Sequence, residues 1–158
     1  MDVPPLDQAE MRMWTRLAAV STLLIGELDA RLLRSAGLSH FEYVALSRLS
    51  EAPGRTMSMS NLAARTNATP SRMSHMVTRL ERRGYVERSQ SPDSGRVVLA
   101  TLTDEGWELV AETAPLHRRD VRELVIDAID PAHVGPLSES LGRILDRLDP
   151  GNALAQRD

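Results

Sequence analysis

Residues 7 to 35 carry an apolar stripe at helical spacing, Leu17, Leu24, Leu28 and Leu32, widened by Leu23, Ile25 and Leu33. Pro4 and Pro5 precede it, Asp7 is a good N-cap, and Gly37 follows its end. The spacing predicts one helix of about eight turns. The chain has 158 residues, enough for a single domain, and a domain of that size cannot cover so long a helix by itself. The other end of the chain poses the same problem. Val134, Leu137, Leu141, Ile144, Leu145 and Leu148 line a last helix, which Asp130-Pro131 starts and Pro150-Gly151 ends. Both terminal helices therefore need a cover, and a second copy of the chain supplies one. A monomeric helical bundle is the alternative.

The middle of the chain reads differently. Ser39 caps a second helix with Phe41, Val44, Ala45 and Leu49 on its inner face, stopped by Ala52-Pro53-Gly54. Ser58 caps a short helix from Met59 to Thr66, and Asn67-Ala68 makes a brief turn. Thr69 then caps another helix with Pro70 at its first position. That helix ends near Gly84 and buries Met73, Met76, Val77 and Leu80. Two short helices joined this way form a helix-turn-helix. After Gly84 the period shifts to that of strands, at Tyr85-Val86 and Arg96–Leu102, around a polar loop from Ser89 to Gly95. Helix, turn, helix and hairpin make a winged helix. Thr103 caps a following helix, in which Pro115 is expected to introduce a kink or a break.

Net charge is −3, yet its distribution is uneven. Residues 55–96 hold eight arginines against three acids, whereas residues 1–54 and 103–158 are net acidic. A basic middle between acidic ends is the local footprint of a polyanion partner, or else a solvated arginine face.

Several function classes drop out. There is no cysteine, which removes disulfides, thiolate metal sites and thiol chemistry, and no lysine, which removes Schiff-base and P-loop chemistry. His40, His75, His117 and His133 form no close ligand pair, so neither a metal nor another cofactor is expected. No nucleophile–base arrangement points to an enzyme. The start of the chain lacks a basic region followed by an apolar run, and no stretch is apolar enough to span a bilayer. A cytoplasmic protein without membrane contact is expected.

The runs Met59-Ser60-Asn61-Leu62-Ala63-Ala64-Arg65, Thr69-Pro70-Ser71-Arg72-Met73-Ser74 and Val77–Val86, followed by Leu102-Thr103-Asp104-Glu105-Gly106, resemble the MarR family of bacterial transcriptional regulators. The resemblance implies a mainly α (α+β) fold, a winged helix-turn-helix with long N- and C-terminal dimerisation helices. Residues 1–38 and 103–158 would hold the dimerisation helices and residues 39–102 the DNA-binding region, in one continuous domain. It further implies a homodimeric regulator, a repressor, that binds double-stranded DNA at a pseudo-palindromic operator and answers to a small aromatic or anionic effector. A winged helix that binds protein rather than DNA is the alternative. The family's wing carries Asp-x-Arg. Here that register reads Ser94-Gly95-Arg96, with Asp93 one residue early.

Candidate contacts follow from position. Ser71, Arg72 and His75 stand at the N-terminal part of the recognition helix, where side chains meet base edges. Ser60, Asn61, Thr69, Ser74, Thr78 and Arg79 suit phosphate contacts, and Arg88 and Arg96 flank the wing, within reach of phosphate or a minor groove. Trp14, Arg16, Leu17, His40 and Tyr43 are candidates for an effector cleft, with core packing the alternative for Trp14 and Tyr43.

Overall fold

The computed structural model describes residues 4–151 and 154. Helix α1 (Gln8–Ala36) begins at a capping box. Asp7 accepts from the amides of Ala9 and Glu10, while Glu10 reaches back to the Asp7 amide, and Gly37 closes the helix in the left-handed conformation. Ser39 and Glu42 repeat the capping box at α2 (His40–Glu51). Then come strand β1 (Thr56–Ser58), helices α3 (Met59–Arg65) and α4 (Pro70–Arg82), strands β2 (Val86–Ser91) and β3 (Ser94–Leu102), and helices α5 (Asp104–Leu124) and α6 (Pro131–Leu148).

The three strands form an antiparallel sheet in the order β1-β3-β2. β1 has no counterpart in the sequence reading. Three residues after a Pro-Gly turn are too few to show alternation, and the strand exists because β3 offers an open edge, with Thr56 opposite Thr101 and Ser58 opposite Leu99. The wing is also more ordered than expected. The polar stretch taken as a loop is paired, Ser89 with Leu99, Gln90 with Val98 and Ser91 with Ser94, so Pro92 and Asp93 alone make the turn. Both faces of this hairpin tip meet water, so polar residues can pair without an apolar alternation to announce them.

The core belongs to the middle of the chain. Leu32, Leu38, Leu46, Leu49, Leu62, Met73, Met76, Val77, Leu80, Val86, Ala100 and Leu102 are buried together. Val44 and Phe41, expected inside, are only half-buried, and Leu46 takes the central place on α2. α5 runs unbroken through Pro115 and adds Val110 to the core. Arg31 of α1 joins it to α1 through Asp120 (3.3 Å) and Glu123 (3.0 Å). No described residue of α6 is buried. Val134, Leu137, Leu141 and Ile144 are each about 40% exposed and Leu148 more so. Met13, Trp14, Val20, Leu23 and Ile25 of α1 are exposed as well. Each such side chain forgoes part of the roughly 1.5–3 kcal/mol that full burial contributes. Among the described residues, no helix is long and apolar enough to cross a membrane.

One junction fixes the recognition module to α5. The Thr103 hydroxyl donates to the Gly84 carbonyl (2.7 Å) and accepts from the Gly106 amide (3.0 Å), while the Thr103 amide donates to the Tyr85 carbonyl. Gly106 lies so close that a Cβ there would collide with the Tyr85 carbonyl and come within 2.7 Å of Leu102 Cδ1. Gly106→Ala should therefore lower stability by about 1–3 kcal/mol in urea unfolding, because backbone has to shift to admit the methyl group.

Candidate nucleic-acid interface

The recognition helix is built by local chemistry. Thr69 caps it through the Arg72 amide, Pro70 occupies its first turn, and Asn67, with φ of 49°, makes the left-handed turn from α3. Met73, Met76, Val77 and Leu80 hold one side in the core. The opposite side then follows from the helical period. Ser71, Ser74, His75, Thr78 and Arg82 face outward, all exposed except half-buried Thr78. The Thr78 hydroxyl bonds back to the Ser74 carbonyl (2.9 Å). Arg82 is absent from the sequence-based candidates. Its signal was the 4-3-4 spacing of positions 71, 75, 78 and 82, which continues one arc to the end of the helix.

Arg72 and Arg79 lie on the flank of this arc, toward α2. The Arg72 guanidinium stacks on the Phe41 ring, 4.1 Å from its centroid, instead of projecting with His75. Arg79 donates twice to Glu42 Oε1 (3.3 and 3.2 Å), and its side chain stays 58% exposed. Arg88 is committed to Glu81 (2.6 Å), which ties β2 to the end of α4. Thr69 serves as a cap, and Ser60 and Asn61 stand exposed at the start of α3. Arg96 is exposed on β3 and has no ion-pair partner among the described residues. Arg72, Arg82 and Arg96 thus carry positive charge unmatched by any described carboxylate, on or beside the face formed by α4 and the wing, whereas Arg83 lies over the Tyr85 ring and reaches Gly37 at the end of α1. Such a face attracts phosphate.

The profile of the MarR family matches residues 38–98. Sco3205 of Streptomyces coelicolor, a MarR family transcriptional regulator whose structure is a complex with DNA, superimposes with a TM-score of 0.89. It is 37% identical over 93% of this chain and 92% of its own. The transcriptional repressor Rv2887 of Mycobacterium tuberculosis is 37% identical over 109 residues, 68% of this chain and 76% of its own. The chain belongs to the MarR family. It is a DNA-binding transcriptional regulator with a winged helix-turn-helix. The Bacillus subtilis transcriptional regulator YdcH is 33% identical over 81 residues, and the chain spans 55% of that relative's length.

In the wing the Asp-x-Arg register holds Ser94, Gly95 and Arg96. The Asp93 amide donates to the Ser91 hydroxyl oxygen (3.3 Å), and the Asp93 carboxylate forms no described ion pair with Arg96. The effector candidates also separate. A cavity of about 360 Å³ lies between α1 and α2, lined by Ile25, Asp29, His40, Phe41, Val44 and Arg72. His40 lines it. Trp14, Arg16 and Leu17 lie about three turns away along α1. Tyr43 is buried, its ring 4.6 Å from that of His117.

Two titrating features sit at this junction. Burial would raise the Glu42 carboxyl, but hydrogen bonds from Ser39 and Arg79 outweigh it and hold the group below the usual carboxylate range. Burial lowers His40, helped by the neighbouring charge of His117 and opposed by Asp29. Burial lowers His117 as well, opposed by Asp120, and its Nδ1 is buried without a partner. The folded chain thus refuses protons that the unfolded chain accepts below about pH 6.5. Stability in urea should fall as pH drops through 6.5 toward 5, and His117→Gln should flatten that fall.

Proposed function

We propose that this regulator acts in the cytoplasm as a homodimeric, effector-responsive repressor of a pseudo-palindromic operator. The observation that carries the reading is α6, an 18-residue helix with an apolar face and no buried residue in the single chain. Together with the exposed side of α1 it offers a self-complementary surface suited to a two-fold partner. Such a pairing would set two recognition helices about 34 Å apart, one turn of duplex. Ser71, His75 and Arg72 then meet base edges in the major groove, Arg82 and Arg79 meet phosphate, and Arg96 on the wing reaches the adjacent minor groove. The roles of Ser60, Asn61, Thr69, Ser74 and Thr78 are contacts to the backbone of the duplex.

The cavity between α1 and α2 suits a small effector. Ile25, Phe41 and Val44 supply an apolar wall, and the Arg72 guanidinium and His40 supply the polar end, which fits an aromatic or anionic molecule. An effector there touches both the dimerisation helix and the recognition helix, so it can favour one spacing of the two recognition helices over another.

Light scattering should give the mass of a dimer. Duplexes selected from a random pool should bind far more tightly than a scrambled duplex. Arg82→Ala and Arg96→Ala should each weaken binding to both duplexes and reduce the slope of log affinity against log salt by about 0.9. His75→Ala should cost about 1–3 kcal/mol at one base pair and relax the preference there. A monomer, or equal affinity for selected and scrambled duplexes, would overturn the reading and favour a winged helix that binds protein.

A further inference from the structure

The face of α4 that meets DNA does not include Phe41, yet Phe41 is the residue that decides where the Arg72 guanidinium sits. Phe41 belongs to the first turn of α2 and is anchored against the core, where it is half-buried. Its ring borders the cavity between α1 and α2, and the Arg72 guanidinium lies over it with Cζ 4.1 Å from the ring centroid. The Arg72 guanidinium makes no hydrogen bond or ion pair among the described residues. Its N–H donors are the ones that a guanine edge takes bidentately. An arginine in free solution loses rotamer freedom when it binds a base. One already laid on an aromatic platform has lost much of it beforehand.

The same turn of α2 holds the helix as well as the side chain. Glu42, the next residue, grips Arg79 one face-repeat further along α4, so the platform and the helix it serves are fixed to one another. Movement of Phe41 relative to Arg72 is thereby restricted to the two side chains.

We infer that Phe41 is a positioning residue for DNA recognition. It presents the Arg72 guanidinium to a base edge and so sets sequence preference at that position without touching the duplex. The inference rests on the reading of Arg72 as a base contact. It predicts a loss of discrimination that depends on the ring and not on apolar volume.

The test uses the full-length, effector-free protein, a duplex selected by the wild type from a random pool, and a scrambled duplex of equal length. The quantity read is the ratio of the two dissociation constants for wild type, Phe41→Leu, Phe41→Tyr, Arg72→Ala and the Phe41→Leu/Arg72→Ala pair, with thermal melting alongside. Phe41→Leu keeps an apolar side chain and removes the ring, and should lower the ratio roughly two- to fivefold, the worth of a cation–π contact at an exposed site. Phe41→Tyr should restore it. The double variant should be no worse than Arg72→Ala alone. Should Phe41→Leu fail to fold, Phe41→Met, unbranched and of similar volume, takes its place. A wild-type ratio in the ring-less variant, a tighter one, or an equal further loss in the Arg72→Ala background would each overturn the positioning role while leaving Arg72 as a contact. An Arg72→Ala variant that binds both duplexes like wild type would overturn the base-contact reading and this one with it.

Discussion

Glu42 brings a carboxylate into a place that is only 7% exposed, and the way it is satisfied organises the DNA-binding half of the molecule. It accepts from the Ser39 amide and hydroxyl and from two nitrogens of Arg79. An unpaired charge there would cost several kcal/mol, so the four donors must arrive together. Two of them come from the cap of α2 and two from a residue 37 positions further along the chain. The start of α2 and the last turn of α4 are therefore locked by one group. The apolar contacts of Leu46, Leu49, Met73 and Leu80 set the depth of packing, while the ion pair sets the angle at which the outward arc of α4 is presented.

A second ion pair repeats the device at the wing. Glu81 and Arg88 join the last turn of α4 to β2, and the Thr103 hydroxyl joins the end of the same helix to α5. The recognition helix is thus held along its flank, at its end and through the strand that follows it. Arginine serves both purposes in this chain. Arg79 and Arg88 are bound to acids and build the frame, while Arg82 and Arg96 stay unmatched among the described residues and leave positive charge at the surface. The overall negative charge lies elsewhere, largely on α5 and the regions around it, where Arg31 gathers Glu27, Asp120 and Glu123.

Helix positions were legible in the sequence because caps, prolines and glycines act within a few residues. Asp7, Ser39, Ser58, Thr69, Thr103 and Asp130 all cap the helices they were expected to cap. Elements that owe their existence to distant neighbours were not legible. β1 forms because β3 lies beside it, and the polar wing residues pair because the hairpin is already closed. Pro115 was expected to disturb α5, yet packing on α1 and α2 carries the helix through it. The outward residues of α4 and the wing were half legible. Their helix and its outward side follow from period alone, but which arginines are free depends on acids 7 and 37 residues away. That the cavity beside α2 lies at Ile25 and Asp29 of α1, further along than Trp14, Arg16 and Leu17, was not legible for a related reason. Periodicity tells which face of a long helix is apolar and says nothing about which turn α2 crosses.

The unbroken course of α5 has a mechanical consequence. Twenty-one residues make a rod about 32 Å long. One end is bolted to the recognition module through Thr103 and Gly106, and the other runs out to the turn that precedes α6. A tilt of about 5° about either end displaces the opposite end by close to 3 Å, the length of one hydrogen bond. A displacement of that size at the far end of the rod is as large as the distances over which side chains hydrogen-bond to a base edge.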